Sequence, residues 1–204
     1  MDNQQATDIE IGWLAGIIDG EGWLGMTVFN PQPERLRGMG QKRKVKLECK
    51  VTNCDQEIIL KTAAIFQKIG INPYLRTINS LGPGRRLVHE VATKHMVTIE
   101  KLLNVVGEHL IGNKRERAQI MLKFIALRRA NPGAENPAYA GGVKGRHGTR
   151  TLYPYTEEEL DLVEACRELQ SRGASETTRE DRDSAVRVLR SDYARRQSAD
   201  AGMI

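Results

Sequence analysis

Paired cysteines, histidine clusters and long apolar runs are missing from this sequence of 204 residues. Its three cysteines (Cys49, Cys54 and Cys166) are odd in number and never stand in a CxxC spacing. That argues against a disulfide scaffold and for a reducing setting. The four histidines, His89, His95, His109 and His147, have no metal-ligand spacing with them, so a structural zinc site is not expected. No stretch approaches the ~20 apolar residues of a membrane span. The polar start, residues 1–7, does not read as a signal peptide. The expectation is a chain without a membrane partner, working inside the cell. No internal repeat is visible, and the length allows one sizeable core with room for an appendage.

What is present is charge, unevenly spread. The net charge is +5. Residues 31–50 carry Arg35, Arg37, Lys42, Arg43, Lys44, Lys46 and Lys50 against only Glu34 and Glu48. Residues 156–204 carry eight arginines against twelve acidic side chains. A basic segment followed by an acidic tail suggests a polyanion-binding face on the first two-thirds of the chain.

The patterning predicts alternating helices and hairpins. Asp8 is read as the N-cap of a helix through Ile11, Leu14, Ala15 and Ile18, ending near Asp19–Gly20. Residues 23–30 alternate, with Leu24, Met26 and Val28 on one side. Residues 45–52 alternate more clearly, Val45, Leu47, Cys49 and Val51 inward and Lys46, Glu48 and Lys50 outward. These two runs read as a long hairpin with one polar, mostly basic face. Asp55 caps a second helix that stops at Gly70. Residues 74–79 and 85–92 flank Leu-Gly-Pro-Gly as a second hairpin, and helices are expected over about 93–108 and 114–129. The fold class is therefore α+β, helix–hairpin–helix–hairpin–helix, with helices on one face of an antiparallel sheet and a small helical C-terminal extension. The domain boundaries expected are 1–130 for the main domain, 131–155 for a Pro- and Gly-rich basic linker, and 156–204 for the extension. The extension opens on a Thr156/Glu159 capping box. Its acidic surplus would repel a polyanion, so its helices are expected to pack on the core or on a partner subunit.

One stretch carries chemistry. Residues 14–22 read Leu-Ala-Gly-Ile-Ile-Asp-Gly-Glu-Gly. Ala15, Gly16, Gly20 and Gly22 are small enough for close helix packing, and the run ends on the carboxylate of Glu21. A helix C-terminus offers carbonyls without intrahelical partners and the negative end of the macrodipole. A carboxylate there adds formal charge to a place already suited to a hard divalent cation.

These nine residues closely resemble the signature of the LAGLIDADG homing endonucleases, and the resemblance extends over about residues 8–129. It implies Glu21 as catalytic acid and metal ligand and Gly20 as a carbonyl metal ligand. It also implies Mg²⁺ as cofactor, with Mn²⁺ expected to substitute. Many members have Asp at the Glu21 position. Asp19 matches an acid that is usually structural. Asn53, in Val-Thr-Asn at the end of the second strand, resembles the polar residue beside the metal water. Lys114, in the run 109–118, falls on the family's active-site lysine. An arginine often found after the Asn53 position is replaced here, by Glu57. A second copy of the motif is absent, and one motif supplies one acid. The resemblance thus implies a homodimer, with Leu14, Ala15, Gly16 and Ile18 at the helix–helix interface. The partner is double-stranded DNA at a long, nearly palindromic site, cut as a staggered double-strand break. The outward hairpin residues Thr27, Asn30, Arg35, Arg37, Lys46, Glu48, Lys50, Arg76, Asn79 and Arg86 form the expected DNA-binding set, because a two-stranded ribbon fits the major groove. Two alternatives keep the same fold: an RNA-binding intron splicing cofactor and a non-cleaving DNA-binding regulator. Neither needs the acid at Glu21.

Overall fold

The computed structural model describes residues 5–29, 44–78, 86–130 and 155–171, with helical positions at 184, 186–191 and 194. The sequence expectations for the tip of the first hairpin, the turn of the second, the linker and the last residues lie outside the described residues.

Helix α1 spans Asp8–Glu21. Its N-cap is Thr7 rather than Asp8, because Glu10 completes a capping box: Glu10 N–H donates to Thr7 Oγ1 at 3.3 Å and Thr7 N–H to Glu10 Oε2 at 3.0 Å. The helix runs to Glu21 rather than ending at Asp19–Gly20, and Gly22 turns the chain into β1 (Gly22–Phe29). That turn is very tight. A Cβ on Gly22 would meet the Ile18 carbonyl oxygen at 2.6 Å and Ile18 Cα at 2.7 Å, so only glycine fits. The Gly22 N–H meanwhile donates to the Ile17 and Ile18 carbonyls.

Strand β2 (Lys44–Asn53) follows, then α2 (Gln56–Lys68), capped by Asp55 Oδ1 accepting from Glu57 N–H at 2.8 Å. Strands β3 (Tyr74–Ile78) and β4 (Val88–Thr93) precede α3 (Met96–Val106), a short 3₁₀ turn at Gly107–His109 and α4 (Gly112–Ala130). The helix expected from about 93 therefore starts three residues later, because Thr93 remains paired with Cys49 in the sheet. The four-stranded sheet has the order β1-β2-β4-β3, and β4 pairs antiparallel with both β2 and β3.

Alternation decides which face is covered. Leu24, Met26, Leu47, Cys49, Val51, Val91 and Thr93 are buried, and with α2 against β4 they form the apolar side of the sheet. The other side carries Lys50, Thr52, Arg76 and Glu90, which the strand register lines up across β2, β4 and β3.

Two compact units divide the chain, residues 1–26 with 46–122 and residues 27–45 with 123–204. The first holds α1, α2, α3 and most of the sheet, with Leu14, Ile18, Phe66, Ile99 and Leu103 in its core. The second is organised around α5 (Glu157–Ser171). Here Glu159 is fully buried and pairs with Arg128 at 3.1 Å. It also completes the Thr156 capping box, accepting from Thr156 N–H at 2.8 Å. The Arg128 guanidinium lies 4.7 Å from the centre of the Tyr155 ring, and the Tyr155 hydroxyl accepts from Val45 N–H at 2.8 Å. Tyr155, the last residue of the expected linker, is thus a fixed contact.

Candidate functional site

The end of α1 is built by α4. Lys114, in the first turn of α4, donates from Nζ to the Ile18 carbonyl at 2.6 Å and to the Asp19 carbonyl at 2.7 Å. These are last-turn carbonyls of α1; the Ile18 carbonyl also accepts from the Gly22 N–H at the helix cap, so Lys114 adds a second donor there. A cation there also meets the negative end of the helix dipole. Burial and the neighbouring Arg117 hold the Lys114 ammonium below the usual lysine range. Arg117 is itself buried and fixed between elements, donating to the Leu24 carbonyl at 2.7 Å and to the Asn113 carbonyl at 3.1 Å. Asp19 closes the junction from the other side, its Oδ2 accepting from Ile111 N–H at 3.1 Å. Asp19 Oδ1 is buried and has no hydrogen-bond partner among the described residues.

Glu21 and Gly20 are exposed at this helix end. Among the described residues Glu21 makes no hydrogen bond or ion pair, although its charge acts on Lys114. Glu21 and Lys114 are therefore brought together, one as a solvent-facing carboxylate and the other as an ammonium anchored on backbone. Asn53 is not joined to them by a hydrogen bond among the described residues. It ends β2, and its Oδ1 accepts from Asp55 N–H at 2.8 Å, a turn that leads into the α2 cap. Cys49 lies near Lys114, and burial pushes its thiol up to about 12. It is a neutral packing group, not a nucleophile.

The donor set at this helix end suits a hard divalent cation: one exposed carboxylate, helix-end carbonyls and no soft ligand. Among the described residues no group of three or more His, Cys, Asp or Glu side chains is clustered to hold a metal. One chain alone thus offers a partial shell, with Glu21 as its formal charge.

Of the four expected interface residues of α1, Gly16 is exposed and the other three need correction. Leu14, Ala15 and Ile18 are 0%, 1% and 0% exposed; they face the core of their own subunit and are closed to a partner. The reason is helical periodicity. At about 3.6 residues per turn, positions 14, 15 and 18 share one stripe while Gly12, Gly16 and Gly20 share the opposite one. That second stripe is exposed, and a Cβ added at any of its three glycines meets nothing within 4 Å. Ile9, on the same side, is 85% exposed.

The expected DNA-binding residues fall into three groups. Thr27, Lys46 and Arg86 are exposed. Glu48, Lys50 and Arg76 are exposed in part but engaged. Lys94 pairs with Glu48 at 2.7 Å, Lys50 Nζ sits 5.7 Å from the centre of the Trp23 ring, and Arg76 pairs with Glu90. Asn30, Arg35, Arg37 and Asn79 lie outside the described residues. Glu90, Lys94 and Arg117 had escaped the sequence reading. The strand pattern of β4 could have flagged Glu90, a carboxylate between His89 and Val91.

By sequence the chain matches no protein-family model and no curated protein. By structure it is similar to a homing endonuclease, I-TnaI, with 13% identity and a TM-score of 0.52, over 90% of this chain and 99% of that one. The homing endonuclease I-CvuI in complex with its target, in the presence of calcium, shares 19% identity over 79% of this chain and 95% of that one, at a TM-score of 0.46. The I-LtrWI LAGLIDADG homing endonuclease bound to target DNA shares 16% identity over 82% of this chain and 45% of that one, at a TM-score of 0.49. With the helix motif at 14–22 and the helix–hairpin order around it, the fold of this chain is that of the LAGLIDADG homing endonucleases.

Proposed function

We propose that this chain is a site-specific double-strand DNA endonuclease that acts as a homodimer inside the cell. Residues 1–130 are the endonuclease domain, 131–155 the connection and 156–204 an extension. The observation that carries the reading is the exposed Glu21 carboxylate at the end of a helix whose open face is glycine and whose last-turn carbonyls are held by Lys114.

One acid per chain calls for two chains. The Gly12, Gly16 and Gly20 stripe lets a second α1 approach backbone-close about a two-fold axis, an isologous contact. Both Glu21 side chains then flank that axis and serve one scissile phosphate each. Glu21 and the Gly20 carbonyl would hold the Mg²⁺. Mg²⁺ bound there would supply positive charge to the phosphate and lower the pKa of water, and Mn²⁺ would substitute for it.

The chain's own residues do the rest. Lys114 keeps the end of α1 in register, and the third N–H of its ammonium is available to a phosphate oxygen. Asn53 keeps its side-chain amide N–H₂ to orient water, since its turn hydrogen bond uses only Oδ1. The polar sheet face meets the major groove. Some of its cations touch phosphate and set register, and others read base edges.

The experiment is selection of bound duplexes from a randomised DNA library, followed by addition of Mg²⁺ to the selected duplex. Cutting of both strands at fixed positions is the expected result. Binding without cutting would identify a non-cleaving regulator, and preference for structured RNA over every duplex would identify a splicing cofactor.

A further inference from the structure

Reading a base requires donors fixed in space, and the sheet contains one arrangement that fixes them. Arg76 of β3 lies directly opposite Glu90 of β4, and Glu90 is also opposite Thr52 of β2. The Glu90 side chain is 1% exposed, whereas that of Arg76 is 44% exposed. Arg76 Nη2 donates to Glu90 Oε2 at 2.9 Å. Arg76 Nε stands 2.7 Å from Oε1, off the line of its N–H bond, so Oε1 is buried without a hydrogen-bond donor among the described residues.

For stability alone this is a poor arrangement. Burying a carboxylate costs heavily unless every lone pair is satisfied, and apolar residues in place of such a pair are often as stable or more so. What the pair achieves is direction. One edge of the guanidinium faces Glu90. The other edge, with both N–H bonds of Nη1 and the second of Nη2, is unengaged among the described residues and belongs to a half-exposed side chain. Two parallel donors of that kind match the O6 and N7 acceptors of guanine in the major groove. A lysine has no such fork.

Resting on the DNA-endonuclease reading, we propose that Glu90 is a positioning residue for sequence recognition: it holds Arg76 so that the outer edge of its guanidinium reads a guanine.

Full-length wild type, Arg76→Lys and Glu90→Gln are each used to select duplexes from a randomised DNA library. Wild type is expected to enrich a sequence with guanine required at one position of each half-site. Both variants lose that preference by about tenfold or more, the range of one bidentate base contact, and keep the rest of the sequence. Replacing that guanine with 7-deazaguanine, which removes the N7 acceptor, weakens wild type and leaves both variants unaffected. The dependence of binding on salt is equal for wild type and an Arg76→Gln protein, because a base contact releases no phosphate counterion. Should Glu90→Gln fail to melt cooperatively, Glu90→Asp takes its place, keeping the charge but shortening its reach. Retention of the guanine preference in the Glu90 variant overturns the proposal. So does an Arg76→Gln protein with a reduced salt slope and unaltered sequence preference, which makes Arg76 a phosphate contact. A wild type that enriches no sequence overturns the DNA-endonuclease reading itself, and this inference with it.

Discussion

At the end of α1 a cation is held by backbone; on the polar face of the sheet, cations are held by carboxylates. Lys114 spends two N–H donors on the Ile18 and Asp19 carbonyls, whereas Arg76 and Lys94 are paired with Glu90 and Glu48. The consequence differs at each place. A lysine on carbonyls leaves the neighbouring carboxylate, Glu21, free to meet another cation. A carboxylate paired with arginine is used up, and what remains available is the outer edge of the arginine. The first arrangement suits metal binding, the second the recognition of a polyanion with readable edges.

The comparison breaks most visibly at Glu21. Glu21→Gln is expected to lower Mg²⁺-dependent cutting by about a thousandfold, the scale on which one electrostatic group at a reacting centre acts. Affinity for the same duplex stays within a few-fold, as single-turnover cleavage and binding titrations on one DNA will show. If the carboxylate were only a solvated surface group, cutting would be unchanged.

Carboxylate–cation pairs should also differ by depth. Glu159→Ala leaves Arg128, 10% exposed in its side chain, without its buried partner and is expected to cost about 3 kcal/mol in denaturant unfolding. Glu48→Ala removes a pair whose lysine is 49% exposed, and less than about 1 kcal/mol is expected. Similar losses for the two would remove burial as the deciding factor.

Gly16→Leu addresses the open stripe of α1. Within one subunit the new side chain has space, since nothing lies within 4 Å of its Cβ. Against a second α1 it overpacks, weakening the dimer by about 1–3 kcal/mol. Sedimentation across a concentration series is the check, and an unchanged dimer would mean that the chains associate elsewhere.

Lys114 tests the other half of the comparison, the cation held by backbone. Lys114→Met strips two carbonyls of their side-chain donor and is expected to destabilise the fold by about 1–2 kcal/mol. Its pH dependence has a definite sign. Burial and Arg117 lower the folded-state pKa from 10.5, so between the folded value and 10.5 the unfolded chain binds more protons. Stability conferred at this residue therefore rises with pH across that window. A wild-type minus Lys114→Met difference that falls across the same window would reverse the assignment.

Much of this was legible beforehand, and the failures have a common cause. The alternation in residues 45–52 predicted β2 and its faces, because strand periodicity is a property of one segment. The order of helices and hairpins followed likewise, and so did the Thr156/Glu159 box. Misjudged was the direction of α1: the motif resemblance named Leu14, Ala15 and Ile18 as partner-facing, although their i, i+1, i+4 spacing puts them on one stripe with the core. Invisible were contacts that depend on registration between distant segments. Glu90 meets Arg76 only because β3 and β4 pair in one register, and Lys114 reaches Ile18 only once α4 packs beside the end of α1.

The central claim is that each subunit contributes one Glu21 and that each Glu21 serves one strand. Mixed dimers of a wild-type and a Glu21→Gln subunit, isolated through two different affinity tags, test it on a selected duplex with Mg²⁺. A nick in a single strand per duplex is the predicted product. Cleavage of both strands at the wild-type rate would contradict the account.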